Sequence, residues 1–300
     1  MYLAVTSSGA LERRKFGELS AKLNQKRVKM IAVSQLKFKN GIRLRPIALP
    51  VEHGGWGLLL EPLMLGLLVA PSLAGLFLSL SALAAFLTRH PLKLAATDRS
   101  RNRQSARTVI AERFALLYLC LGSLFFVAAV VNARGEFWLP LVLAAPMMML
   151  QLIFDSRGRS RALVAELSGS IAIAAFASAI AISGGWQRNA AFVLWIIMAA
   201  RSVPTILYLR ARLRQLHHKP ASPMVAILAH VIALAITIVL AQSKMAPWLA
   251  VAAVTLLLLR ALNGVRKTEK RVTAKMLGIR EFIYGAVLVF AVVVGFRLSF

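Results

Sequence analysis

Ionisable side chains inside otherwise apolar stretches are the first candidates for chemistry. One pattern is Glu52-His53-Gly-Gly-Trp-Gly, followed by Glu61. His53, Gly57 and Glu61 are spaced i, i+4, i+8 and so share one helix face. Charges at such positions usually face the interior of a bundle, which makes His53 and Glu61 candidate ligand-binding residues. The structural alternative is that the glycines pack a neighbouring helix and Glu61 forms a structural ion pair.

A second pattern lies in a later apolar segment. Arg201, Thr205, Tyr208 and Arg212 form a polar stripe at helical spacing. Arg201 lies about nine residues from the basic end of its segment, which is about 14 Å at 1.5 Å per residue. A charge buried at that depth needs an acidic partner, and Glu61 enters its own segment to a similar depth.

We therefore predict that Glu61 and Arg201 face one interior cavity and interact, directly or through a ligand. Two opposite charges at one depth cost less together than apart, since removing one partner of a buried pair typically costs about 3–5 kcal/mol. The alternative is that Arg201 pairs with Asp155 or Glu166, while Glu61 bonds a neighbouring helix.

Further charged residues lie at the same ends of the apolar segments. Arg89 and Lys93 follow the second segment, and Asp155 closes the fourth. Arginine and lysine can bind phosphate or carboxylate directly, although loop arginines often serve only as lipid anchors. The candidate ligand-binding set is His53, Glu61, Arg89, Lys93, Asp155 and Arg201.

Histidine and cysteine do not predict a metal site. His217 and His218 have no carboxylate nearby in the sequence, and His230 is typical of a hydrogen bond between helices. The single cysteine, Cys120, excludes a disulfide framework and a cysteine zinc site. No P-loop, GxSxG or HExxH motif is present, so catalytic residues and cofactors remain unknown.

Composition identifies the elements that must position these residues. Apolar residues make up 59% of the 300 and charged residues only 16%, whereas a soluble domain carries about 25% charged residues. Mean hydropathy is +0.71. The net charge is +26, and the basic residues lie between long apolar runs. This placement favours contact with lipid over binding to nucleic acid. The sequence therefore predicts an all-α, multi-pass protein of a cell membrane.

Nine apolar segments are long enough to span a bilayer. The predicted spans are 54–71, 72–88, 110–131, 137–154, 163–183, 189–209, 222–241, 245–263 and 281–297. Pro71 separates the first two, which we predict to form a hairpin. Residues 46–300 would form the transmembrane domain, and residues 1–45 a basic, disordered cytoplasmic tail that packs little against it. Met30 is an alternative start to Met1.

The distribution of basic residues predicts the orientation. The tail and the segments 89–113, 155–162, 201–219 and 260–280 hold 33 of the 37 lysines and arginines. The opposite side holds only Arg134, Arg188, Lys244 and Arg297. The positive-inside rule then places the N-terminus in the cytoplasm and the C-terminus outside. Trp138, Trp186 and Trp248 fall at the outer ends of spans, as expected for an aromatic belt.

The run Pro50-Val-Glu52-His53-Gly-Gly-Trp-Gly with Glu61-Pro62 resembles the opening of the YwiC-like membrane protein family. The segment Arg89-His-Pro-Leu-Lys93 and the later Asp155-Ser-Arg fit that resemblance. The resemblance implies that about residues 45–297 belong to this family, and it does not indicate an activity.

A more distant resemblance is to UbiA-type prenyltransferases, which have nine helices and a cytoplasm-side cavity. Their aspartate-rich motifs, after the second and sixth spans, hold magnesium and a prenyl diphosphate. Arg89 and Lys93 stand at the first of these places, and Arg210, Arg212, Arg214 and Lys219 at the second. Magnesium requires carboxylate oxygens, so the resemblance implies a UbiA-like arrangement without the usual chemistry.

Three functions remain open from the sequence. The first is an enzyme or binding protein that holds an anionic, lipid-like ligand in a cytoplasm-facing polar cavity, with Glu61 or Asp155 as acid or base. The second is a transporter of a small anionic or amphipathic solute. The third is a non-catalytic membrane scaffold. The nearly pure apolar character of the outer halves favours a cavity open on one side.

Overall fold

The computed structural model describes residue 25 and residues 44–49, 53–102, 105–217, 222–266 and 273–299. The regular elements in these ranges are helices. A single helical turn, Arg45–Ala48, precedes nine longer helices. These are α1 His53–Val69, α2 Leu73–Ser100, α3 Ala106–Asn132, α4 Trp138–Ser156, α5 Leu163–Ser183, α6 Arg188–Leu216, α7 Met224–Gln242, α8 Trp248–Arg266 and α9 Ala274–Ser299.

The nine helices coincide with the nine predicted spans. Eight of them are long and apolar enough to cross a membrane, and α1 is a shorter apolar helix. The chain is therefore a multi-pass helical membrane protein, as predicted. The helices α2, α6 and α9 extend past their predicted spans at the basic ends, because a helix can continue into water where its residues become polar. Apart from residue 25, the tail up to residue 43 lies outside the described residues.

The first two helices form the predicted hairpin. The break between them falls at Pro71, and the N–H of Gly75 donates to Ser72 Oγ at 3.0 Å, which caps α2. Trp56, at the start of α1, packs edge to face on Phe86, with ring centres 5.3 Å apart. Because residue 56 meets residue 86 across a turn at residue 71, the two helices are antiparallel.

The chain divides into two compact units. Among the described residues, the first comprises those within 44–49 and 89–115, and the second those within 53–88 and 116–299. Within the first unit, Arg99 Nε donates to Glu112 Oε1 at 2.6 Å. This exposed pair joins the end of α2 to the start of α3.

Six helices of the second unit pack in a closed circuit. The order is α1, α5, α6, α7, α8 and α9, and α9 packs back on α1. The helix α6 also contacts α1, α8 and α9. Alanine, serine and glycine dominate the buried face of α5, and such small side chains let helices approach closely. At the contact with α1, a Cβ added to Gly66 would lie 2.8 Å from Ile180 Cβ.

Turns that were predicted to lie outside meet at one end of the second unit. The Arg134 N–H donates to the Ser183 carbonyl at 3.0 Å and joins the α3–α4 turn to the α5–α6 turn. Trp186 packs edge to face on Phe296 near the end of α9, with ring centres 5.3 Å apart. The grouping agrees with the alternation of the predicted spans. Their orientation across the membrane stays a prediction.

Candidate functional site

Glu61 and Arg201 are in direct contact inside the second unit. Arg201 Nη2 donates to Glu61 Oε1 at 3.1 Å. Arg201 exposes 2% of its side chain and Glu61 7%. The predicted interaction between these two residues is therefore confirmed, and it joins α1 to α6.

A second glutamate, Glu281 of α9, shares Arg201. The same Nη2 atom donates to the Glu281 main-chain carbonyl at 2.8 Å, and Arg201 Nη1 lies 3.8 Å from Glu281 Oε2. Nη1 also donates to the Thr205 hydroxyl, one turn further along α6. The guanidinium is thus held by groups from three helices.

Glu281 in turn binds a second arginine. Arg260 Nη1 of α8 donates to Glu281 Oε1 at 2.6 Å, and both side chains are buried. The chain Glu61–Arg201–Glu281–Arg260 alternates in sign and takes one residue from each of α1, α6, α9 and α8. We call these four residues the charge cluster.

Half of the charge cluster was not predicted from the sequence. Arg260 was counted with a cytoplasmic segment, and Glu281 stood at the edge of the last span. Both are buried inside the bundle, Arg260 within the predicted span 245–263, but neither was predicted to lie beside Arg201 and Glu61. The available signal was the apolar run before Arg260, which places it, like Arg201, inside a helix rather than in a loop.

Two glycines make room for the polar side chains. Gly285 lies one turn after Glu281 on α9, and a Cβ there would overlap the Glu61 carboxylate. Gly264 lies one turn after Arg260 on α8, and a Cβ there would overlap the Tyr208 hydroxyl. A larger residue at position 285 would displace a member of the charge cluster, and one at position 264 would displace the neighbouring Tyr208 hydroxyl.

The predicted polar stripe of α6 faces the bundle interior. All four members are buried: Arg201, Thr205, Tyr208 and Arg212. The ring of Tyr208 also supports Arg260, whose guanidinium carbon lies 4.3 Å from the ring centre. A second ring, Tyr284, lies 5.4 Å from the same carbon. Such cation–π contacts stabilise a guanidinium that is removed from water.

Three nitrogen atoms near Tyr208 have no hydrogen-bond partner among the described residues. They are Arg260 Nε, Arg260 Nη2 and His230 Nε2. His230 packs edge to face on Tyr208, with ring centres 6.4 Å apart, and its Nδ1 lies 2.7 Å from the Ala226 carbonyl. The sequence suggested a hydrogen bond from His230 to another helix, but the observed partner belongs to α7 itself.

The other candidate residues have separate surroundings. Arg89 and Lys93 belong to the first unit, on the extension of α2. Asp155 is half-buried near the end of α4, which packs against α5. The side chain of His53 lies outside the described part of the chain. Ligand binding by these four residues stays a prediction.

The alternative partner Glu166 does not bind Arg201. Arg210 Nη1 donates to Glu166 Oε2 at 2.6 Å, and this pair is partly exposed. Arg201 meets Glu61 and Glu281 instead because these residues reach it from the adjacent helices α1 and α9. This alternative is therefore wrong.

A separate cavity lies on α4 and holds about 530 Å³. Its lining is mainly apolar and consists of Val142, Ala145, Pro146, Met149, Leu150 and Ile153. None of these residues belongs to the charge cluster. The cavity therefore offers space for an apolar group but no charge to recognise an anion.

Residues 49–181 match the model of the YwiC-like protein family. The YwiC-like segment runs from α1 through most of α5 and includes Glu61, Arg89, Lys93 and Asp155. It is narrower than the expected 45–297, so Arg201, Arg260 and Glu281 lie beyond it. No curated protein and no solved structure matches the chain.

Proposed function

We propose that this multi-pass membrane protein binds an anionic, lipid-like ligand from the cytoplasmic side of a bacterial cell membrane. The charge cluster forms the base of the site, and Arg260 contacts the anionic group. The observation that carries the proposal is the unpartnered edge of the Arg260 guanidinium.

Arg260 uses only part of its hydrogen-bonding capacity within the protein. Nη1 binds Glu281 and the guanidinium also interacts with the side chain of Tyr208, whereas Nε and Nη2 have no partner with ordinary hydrogen-bond geometry among the described residues. The N–H groups of Nε and Nη2 lie on the same edge of a guanidinium and match two oxygens of a carboxylate or phosphate. Buried donors without acceptors are costly, so an anion at this edge would stabilise the folded protein.

The position of the charge cluster favours access from the basic ends of the helices. Arg260 lies six residues before the end of α8, about 9 Å along the helix. Gly278, three residues before Glu281 on α9, would place a Cβ with no atom within 4 Å. The helix α9 is therefore not closely packed at Gly278, one turn before Glu281.

The predicted outer half of the bundle offers a ligand fewer polar groups. Leu65, Leu194 and Ile197 are fully buried on α1 and α6 toward the predicted outer end. These apolar side chains favour a one-sided site over a continuous polar path, so they support binding rather than transport.

The test compares Arg260→Lys with the wild-type protein. Lysine keeps the positive charge beside Glu281 but lacks the two-pronged edge. Native mass spectrometry of the protein purified in mild detergent should detect a bound anionic lipid in the wild type and much less in Arg260→Lys. The matched control is Arg210→Lys, because Arg210 is a partly exposed arginine that also pairs with a glutamate but takes no part in the proposed site.

Two outcomes would contradict the proposal. One is a wild-type protein that carries no anionic ligand after purification and binds none of the anionic lipids added back. The other is equal retention of the ligand in Arg260→Lys and in the wild type, with the fold of both proteins verified by circular dichroism.

A further inference from the structure

His230, like Arg260, has a nitrogen atom near Tyr208 without a hydrogen-bond partner among the described residues, and this nitrogen is an acceptor. His230 Nδ1 lies 2.7 Å from the Ala226 carbonyl oxygen. A carbonyl only accepts, so Nδ1 carries the hydrogen, and Nε2 of the neutral ring carries a lone pair. His230 exposes 1% of its surface, and Nε2 has no hydrogen-bond partner among the described residues.

The open acceptor and the open donor edge border the same aromatic ring. Arg260 lies against Tyr208 with 4.3 Å from its guanidinium carbon to the ring centre, and His230 packs on Tyr208 at 6.4 Å between ring centres. Both groups are more than nine-tenths buried. Arg260 and His230 thus contact one shared side chain, and a ligand bound between them would meet both open groups.

We propose, building on the function above, that the anionic group is a phosphate monoester. A singly protonated monoester has two unprotonated oxygens for Arg260 Nε and Nη2 and a P–OH that donates to His230 Nε2. A phosphodiester or a carboxylate offers the anionic oxygens but no such hydroxyl on the same group. His230 is thus a residue that selects the ligand class, and Arg260 is the residue that binds its charge.

The experiment uses two probes that differ at one group. Dihexanoyl phosphatidic acid has a phosphate monoester, and dihexanoyl phosphatidylmethanol replaces the P–OH by P–OCH₃. Calorimetric titration of the full chain in detergent should give about tenfold tighter binding of phosphatidic acid, the value of one good hydrogen bond to a charged group.

Variants assign this preference to His230. His230→Phe keeps an aromatic ring against Tyr208 and should bind the two lipids equally, whereas His230→Gln restores an acceptor and should recover part of the preference. His217→Phe, at an exposed histidine after α6, is the matched control and should retain the full preference. If His230→Phe does not fold, the wild-type ratio and His230→Gln still test the idea.

The outcomes separate this inference from the proposed function. Equal binding of both lipids by the wild type, or an undiminished preference in His230→Phe, would overturn the monoester while leaving an anion site at Arg260. Binding of neither lipid, and no binding of glycerol 3-phosphate, would overturn both. Glycerol 3-phosphate serves as a soluble monoester: if it binds through His230 and phosphatidic acid does not, the monoester stands and the lipid-like ligand is refuted.

Discussion

Arg201 holds two carboxylates, so its removal should cost more stability than the removal of Glu61. Arg201→Gln leaves Glu61 buried without a cation, while Glu281 keeps Arg260 at 2.6 Å. Breaking a buried pair in this way costs about 3–5 kcal/mol in the free energy of unfolding. Glu61→Gln should cost less, about 1.5–3 kcal/mol, because Arg201 keeps the Glu281 carbonyl at 2.8 Å and the nearby Glu281 carboxylate.

The double variant, Glu61→Gln with Arg201→Gln, tests whether the two residues stabilise each other. Glu61→Gln removes the stranded carboxylate that Arg201→Gln creates, so the double variant should be more stable than Arg201→Gln alone. The coupling energy should be about 1–3 kcal/mol. Reversible unfolding by SDS in mixed micelles, followed by tryptophan fluorescence, measures all four proteins. The exposed pair Arg188–Glu136 is the control cycle, with an expected coupling of about 0.2–1 kcal/mol.

Strictly additive losses would refute this reasoning. So would a Glu61→Gln loss that equals or exceeds the Arg201→Gln loss, because the argument depends on Arg201 being shared. In that event the carboxylate of Glu61 would not depend on Arg201 for its compensation.

Three further predictions concern packing, a peripheral pair and topology. Gly285→Ala should destabilise the protein by about 1–3 kcal/mol because its Cβ would overlap the Glu61 carboxylate, whereas Gly278→Ala should not, since no atom lies within 4 Å of its Cβ. Thermal unfolding in detergent compares the two variants, and equal effects would contradict the close approach of α9 to Glu61. Arg210→Gln should cost at most about 1 kcal/mol, since its pair with Glu166 is partly exposed; a loss as large as that of Arg201→Gln would contradict this. In a cysteine-free background, a cysteine at Arg99 should react with a membrane-impermeant thiol reagent only in inside-out vesicles, and one at Lys244 only in intact cells; the reverse would overturn the orientation.

Much of the fold could be predicted from the sequence because a bilayer imposes strong local rules. Every backbone polar group in the apolar layer must be satisfied internally, so long apolar runs become helices. Pro71 cannot continue the helix hydrogen bonding, and the hairpin turns at this residue. Helical spacing alone also placed the α6 stripe of Arg201 and Thr205 on one buried face.

Packing between helices decided the rest of the site. Glu61 and Arg201 could be paired because each lies deep within its own apolar run and only a partner reduces the cost of such a charge. Glu281 stands near a run boundary, where a side chain can either reach water or turn inward. The rotation of α9 determines which of these occurs, and that rotation depends on the contacts of α9 with α1 and α8. With Gly285 on the same face, α9 approaches Glu61 closely, and Glu281 is then enclosed between Arg201 and Arg260.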